Sequence, residues 1–137
     1  MKDAEARRRF AAGRVAVLGT VTPRGAPHLV PVTFVLAGEE VWTAVDGKPK
    51  RGTSLARLDN VRADPRVSLL VQHWDEDWTA LWWARADGTA RVVERDTEVA
   101  RAADLLRAKY RQYDTVAATG PVIAVQLTAW RWWAAEP

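Results

Sequence analysis

Cysteine is absent from this 137-residue chain, which excludes disulfides, thiolate metal sites and cysteine nucleophiles together. Lysine is scarce: Lys2, Lys48, Lys50 and Lys109 are the only four, and arginine supplies the remaining positive charge. The two histidines, His28 and His73, have no carboxylate or second histidine at ligand spacing, so no metal centre is expected. The acidic triplet Asp75-Glu76-Asp77 lacks the further oxygen-bearing residues at regular intervals that a hard cation needs. Also missing are a Gly-x-Gly-x-x-Gly after a strand, a phosphate-binding Gly-Lys-Ser/Thr loop and a His-Glu-x-x-His. Ser54 and Ser68 lack the strained, glycine-flanked turn that exposes an attacking hydroxyl. No apolar run approaches membrane-spanning length, and no apolar stretch stands behind the charged start Met1 to Arg9. The expectation is a cytoplasmic protein without a membrane span.

Tyrosine and phenylalanine occur twice each, against eight tryptophans. Trp42, Trp74, Trp78, Trp82, Trp83, Trp130, Trp132 and Trp133 are too many for one small core. Several are expected to line a planar-ligand pocket or a subunit interface. With 48% hydrophobic and 27% charged residues, the chain has the composition of one ordinary globular domain over residues 1–137. That length supports a single core but is short for an enzyme that must enclose a cofactor unaided, which points to a dimer. Seventeen acids nearly balance twenty bases, leaving a net charge of +3. Nucleic acid is therefore not demanded, and a small molecule is the expected partner.

Periodicity and turn chemistry give the element order. Asp3 to Ala12 reads as a helix, with Asp3 as its N-cap and Gly13 as its stop. Val15 to Thr22 and His28 to Leu36 form the arms of a hairpin across Pro23-Arg24-Gly25, and Pro31 implies an edge position or a bulge. Val41 to Val45 is a third strand. Ser54 can cap a helix carrying Leu55, Leu58 and Val61, which Asp64-Pro65 ends. Arg66 to His73 is a fourth strand and Thr79 to Ala86 a fifth, which Asp87-Gly88 turns or kinks before Thr89 to Glu94. Val99, Ala103, Leu106, Tyr110 and Tyr113 share a helical face between Thr97 and Tyr113, and Val122 to Trp133 is a long final strand. The order suggests a mainly β, α+β fold: a small antiparallel barrel with helices closing its ends.

The lysine scarcity sharpens one motif. Lys48, Lys50 and Arg51 lie within Asp46-Gly47-Lys48-Pro49-Lys50-Arg51, directly after the third strand and just before a helix N-terminus. Two mobile amines, turn N–H groups and the helix dipole can converge there on a phosphate. A solvated basic turn is the alternative. A phosphate site with no paired nucleophile or carboxylates favours a protein whose cofactor carries the reaction.

In these stretches the chain resembles the split β-barrel flavin and deazaflavin oxidoreductases, the superfamily of pyridoxamine 5'-phosphate oxidase, and its short actinobacterial members that use coenzyme F420. The resemblance runs through Val17 to His28, Val30 to Phe34, the lysine motif, Leu58 to Val71 and Trp130-Arg131-Trp132-Trp133. It implies a six-stranded antiparallel split barrel with short flanking helices, homodimeric, with cofactor sites at the interface. It also implies a cofactor phosphate on Lys48, Lys50 and Arg51 and a tricyclic ring along Pro31, Val32, Thr33 and Phe34. Trp78 and Trp133 of the opposite protomer are candidates to complete the pocket. The activity implied is hydride transfer from reduced F420 to a flat, electron-poor acceptor, with His28 or a water as proton donor. Arg24, Arg57 and Arg7-Arg8-Arg9 are candidates to attract the acidic tail of the deazaflavin. An FMN-dependent oxidoreductase and a non-catalytic flavin or tetrapyrrole carrier are the alternatives.

Overall fold

The computed structural model describes residues 1–45, 53–115 and 120–136, with the backbone alone for 53–55. Seven described strands, β1 (Ala16–Val21), β2 (Pro27–Val32), β3 (Val35–Ala37), β4 (Glu40–Ala44), β5 (Arg66–His73), β6 (Trp82–Val93) and β7 (Val122–Ala134), form one sheet in the order β2-β1-β5-β6-β7-β4-β3. Every pairing is antiparallel. Three helices accompany it: α1 (Asp3–Ala12), α2 (Thr53–Ala63) and α3 (Asp96–Lys109). This is the expected split barrel, with seven strands where six were expected.

The extra strand comes from the run His28 to Leu36. It is not one arm but two strands, β2 and β3, on opposite edges of the sheet. Only Thr33 and Phe34 separate them, so the sheet must curl until its two edges meet at that step. Pro31 occupies the edge strand β2 opposite Val17, in continuous register. Its missing N–H therefore costs no ladder bond on the open side.

The barrel interior holds Leu18, Val32, Phe34, Val41, Leu69, Ala84, Ala86, Ile123 and Val125. Helix α1 plugs one end. Its acidic first turn and its last-turn Arg9 suit the helix dipole. Asp3 is its first helical residue, preceded by Lys2 without a side-chain cap, and the Asp3 carboxylate instead accepts the Trp132 indole N–H at 2.7 Å. The fully buried Phe10 meets Phe34 and Trp130 at centroid distances of 5.1 and 5.0 Å. Gly13 ends the helix where a Cβ would stand 2.7 Å from a Val71 methyl, so the close approach to β5 requires glycine. Helix α2 begins at Thr53, which puts Ser54 inside the first turn and not at the cap.

Strand β6 runs unbroken through Asp87-Gly88, where β7 carries one extra residue, Thr128. Neither a turn nor a strand break occurs there; the irregularity is a bulge in the partner strand. It reverses the facing of β7. Before it Ile123, Val125 and Leu127 point inward, and after it Trp130 and Trp132 do, packed on the core beneath α1. A Cβ on Gly88 would lie 2.3 Å from the Gln126 carbonyl oxygen, so the bulge depends on glycine opposite it.

Candidate functional site

The split in the barrel opens between the end of edge strand β2 and the end of β4. A cavity of about 190 Å³ lies there, lined by Val15, Pro31, Val32, Thr33, Ala44 and Arg57. Three expected cofactor residues, Pro31, Val32 and Thr33, thus share one cavity with Arg57 of α2. Strand β4 delivers Ala44 to it, two residues before the lysine motif begins at Asp46. Lys48, Lys50 and Arg51 themselves lie outside the described residues.

The cavity wall is held rigidly from behind. Thr43 Oγ1 donates to the Thr33 carbonyl at 2.7 Å, and the Thr33 and Tyr113 hydroxyls share a 2.7 Å hydrogen bond. The Tyr110 hydroxyl accepts the Phe34 N–H at 3.2 Å and lies 3.1 Å from the carbonyls of both Phe34 and Arg14. Lys109 Nζ donates to the Phe34 carbonyl at 3.0 Å and sits 3.7 Å above the Phe34 ring. Burial, helped by the nearby Arg14 charge, pushes the Lys109 ammonium down to about 8. Burial likewise pushes the Tyr110 phenol up.

Phe34 is therefore a correction to the sequence reading. Its side chain is fully buried in the barrel core, and both its backbone polar groups are engaged by α3. It supports the cavity from behind and offers no surface to a ligand.

His28 also lies off the cavity. It shares the inward face of β2 with Val30 and Val32, whereas Pro31 faces out, three residues and about 10 Å further along the strand. Its Cα partner is the buried Thr20, whose hydroxyl accepts from Asn60 Nδ2 at 3.0 Å. His28 Nδ1 is buried without a hydrogen-bond partner. Among the described residues, no three His, Asp or Glu side chains gather to hold a metal ion.

The tryptophans divide sharply. Trp42 is buried under α3, while Trp82, Trp130 and Trp132 are half-buried beneath α1. Trp78, on a short 3₁₀ turn (Trp78–Ala80), is 66% exposed with its ring edge-on to Trp74, and Trp133 is 45% exposed. Neither Trp78 nor Trp133 lines the cavity within one protomer. The expected tail-binding arginines divide as well: Arg7 pairs with Glu39 and covers Trp130, and Arg9 bonds Glu5 at 2.7 Å and covers Trp82. Arg24 is exposed in the hairpin turn, and Arg57 alone reaches the cavity.

What sequence reasoning missed is the uncovered outer face of the sheet beside the cavity. Register aligns Pro31, Val17, Leu70, Arg85 and Arg131 in one row across five strands. Gln72, Trp83 and Trp133 lie in line on one side of that row, and Leu29, Gly19, Ser68, Asp87 and Ala129 on the other. Strict alternation puts all of these on the face away from the core. Along the second of these flanking rows runs an open groove of about 710 Å³. Period-2 spacing marks these residues strand by strand, but only the pairing joins them into a surface.

A sequence profile described as Pyridoxamine 5'-phosphate oxidase matches residues 3–134. No curated protein matches the chain in sequence. Among solved structures, the chain is similar to the conserved hypothetical protein Rv2991 of Mycobacterium tuberculosis, at 24% identity and a TM-score of 0.77, covering 98% of this chain and 86% of that one. It is similar to a heme binding protein of Mycobacterium smegmatis, at 24% identity and a TM-score of 0.73, covering 94% and 52%. HutZ, the heme storage protein of Vibrio cholerae, is similar at 17% identity and a TM-score of 0.70, covering 96% and 93%.

Proposed function

The chain belongs to the pyridoxamine 5'-phosphate oxidase family, and on that premise we propose that it is an oxidoreductase that transfers hydride from reduced coenzyme F420 to a flat, electron-poor acceptor. The observation that carries this reading is the cavity at the barrel split. Its lining combines the apolar Val15, Pro31, Val32 and Ala44 with the polar Thr33 and Arg57. It also opens where β4 leads into Lys48, Lys50 and Arg51. That is the amphiphilic profile a fused ring with a ribityl phosphate requires. The bound deazaflavin supplies the hydride; the protein needs no nucleophile of its own.

The cavity's 190 Å³ falls short of the roughly 300–1,000 Å³ of a complete ligand pocket. One protomer therefore offers a half-site. The second wall comes, in this reading, from another copy of the chain packed through the bare outer face, with Trp133 and Trp78 of that copy closing over the ring. With a two-fold axis crossing that row near its middle, at Leu70, the Pro31 end of one copy meets the Arg131 end of the other. The chain's own residues then act by positioning: Pro31 to Thr33 fix the ring plane on a strand braced by Tyr110, Tyr113 and Lys109, and the closed interface excludes water. His28 faces the interior and is not placed to deliver the proton; bound water takes that role.

Titration of the purified protein separately with F420 and FMN, followed by tryptophan quenching, tests the reading. Selective F420 binding is expected, and Lys48→Ala with Lys50→Ala should weaken it at least about tenfold while leaving the fold intact. Preference for FMN moves the protein to the flavin branch. Heme binding without hydride transfer to any acceptor assigns a tetrapyrrole carrier instead.

A further inference from the structure

The end of the β6–β7 ribbon holds a charge arrangement that the fold does not need. Arg85 and Arg131 are direct cross-strand partners on the outer face, where like charges opposite one another are destabilising. The nearby acid is committed to one of them: Asp87 accepts from Arg85 Nε at 2.9 Å, from Arg85 NH2 at 3.2 Å and from Ser68 Oγ at 2.7 Å. Burial opposes ionisation of Asp87, but the hydrogen bonds from Arg85 and Ser68 and the charges of Arg85 and Arg131 hold its carboxyl below the ordinary value. Arg131 has no ion-pair partner among the described residues. Among the described residues its guanidinium bonds the neighbouring Trp130 carbonyl alone, at 2.9 Å. Trp83 and Trp133, also direct partners, occupy the next outward position on the same two strands.

We propose that this quartet is a binding site for planar carboxylic acids, in which Arg131 and Arg85 clamp the carboxylate and the Trp83 and Trp133 indoles hold the ring. Five N–H donors per guanidinium leave both arginines with free donors after the bonds above. Two planar forks side by side match a carboxylate's two oxygens. The cationic and aromatic rows stand one two-residue step apart, about 7 Å, which suits a carboxylate at the rim of a fused ring. Resting on the reductase reading, the inference names the acceptor class: a conjugated acid and not a neutral quinone. The row that ends in Arg131 begins at Pro31 of the cavity, so the two-fold axis proposed across its middle sets this clamp beside the ring site.

The test is calorimetric titration of the full chain with anthracene-2-carboxylate and its neutral carboxamide, without cofactor. The acid should bind at least tenfold tighter than the amide, with an affinity that falls as salt rises. Arg131→Gln should abolish that preference, Arg131→Lys should retain part of it, and Trp133→Leu should weaken both ligands alike. Equal binding of acid and amide by the native chain, or an unaltered preference in Arg131→Gln, overturns the inference. F420 and FMN are titrated against the same variants. A loss of cofactor affinity in Arg131→Gln would assign the arginine to the cofactor and overturn this inference, leaving the reductase reading intact. An acid preference in a chain that binds neither cofactor would sink the reductase reading alone.

Discussion

The two halves of the sheet's outer face are built from similar strands and meet opposite fates. On the half formed by β3, β4, the end of β6 and the start of β7, helix α3 and the turn after it cover Trp42, Ala44, Val93, Val122 and Ala124, packing Ala102, Leu106, Tyr110 and Tyr113 onto them. On the half formed by β2, β1, β5 and the end of β7, Pro31, Val17, Leu70 and Leu29 have no described helix packed over them, and Leu29 is 69% exposed. The chemistry follows the cover. Where α3 lies, the outward residues are small, aliphatic or aromatic and packed within the chain. Where it does not, apolar residues alternate with arginine and tryptophan, the composition of a surface that meets another molecule.

The sharpest way to test that contrast is to truncate one large residue in each half. Trp42→Ala, beneath α3 and only 2% exposed, should cost about 3–5 kcal/mol of stability by urea denaturation. A cost near zero would mean that α3 is not the cover described here. At the border of the two halves, Gly88→Ala should cost about 1–3 kcal/mol, because its Cβ meets rigid backbone at the bulge. On the bare half, Leu70→Glu should leave the protomer's stability within about 1 kcal/mol. By light scattering it should shift the proposed dimer to monomer, with a dissociation constant raised at least about tenfold. A Leu70→Glu protein that stays dimeric would place the interface elsewhere.

The smallest effect is one of pH. Lys109 is charged at a pH up to about 8 in the folded chain but up to about 10.5 when unfolded. Between those values the unfolded state binds more protons, so Lys109 contributes stability that grows as pH rises. Tyr110 has the opposite sign, because its phenol stays protonated in the fold past its ordinary 10.0. Urea midpoints should therefore climb between pH 8 and 10, and Lys109→Met should flatten that climb. A native chain with no rise over that window would show that the α3 end does not hold the amine as described.

Much of this was legible in the residues themselves. Asp3–Ala12 and Arg66–His73 have the bounds read from the residues, with Gly13 and the Asp64-Pro65 break setting ends by local chemistry, although Asp3 opens its helix as the first helical residue and not as the cap. The split of His28 to Leu36 was not legible. Thr33 and Phe34 are good strand formers, and nothing local breaks the run there. The break is imposed by tertiary hydrogen bonds from Thr43, Tyr110 and Lys109, which divert the chain from one sheet edge to the other. The bulge at Thr128 was hidden in the same way, since it exists only relative to β6, and with it the sorting of Trp130 and Trp132 inward and Trp133 outward. At the site, Pro31 stood out locally as an edge or bulge residue, and Val32 and Thr33 came only with the resemblance to the split-barrel family. Arg57 emerged only as a candidate for the cofactor's tail, and its place in the cavity depends on how α2 crosses the split.

The two-residue step at Thr33-Phe34 also governs the order in which the molecule can be completed. The β1–β2 hairpin is local, and β5 and β6 add to it as they are made. The β3–β4 hairpin, tethered two residues from β2, joins the sheet only through β7, where Glu40 to Ala44 pair with Gln126 to Val122. Synthesis from the N-terminus therefore produces most of the chain before that hairpin has a neighbour to hold. The seam at which the cavity forms is the last part of the barrel to close, by the pairing with the longest reach in sequence.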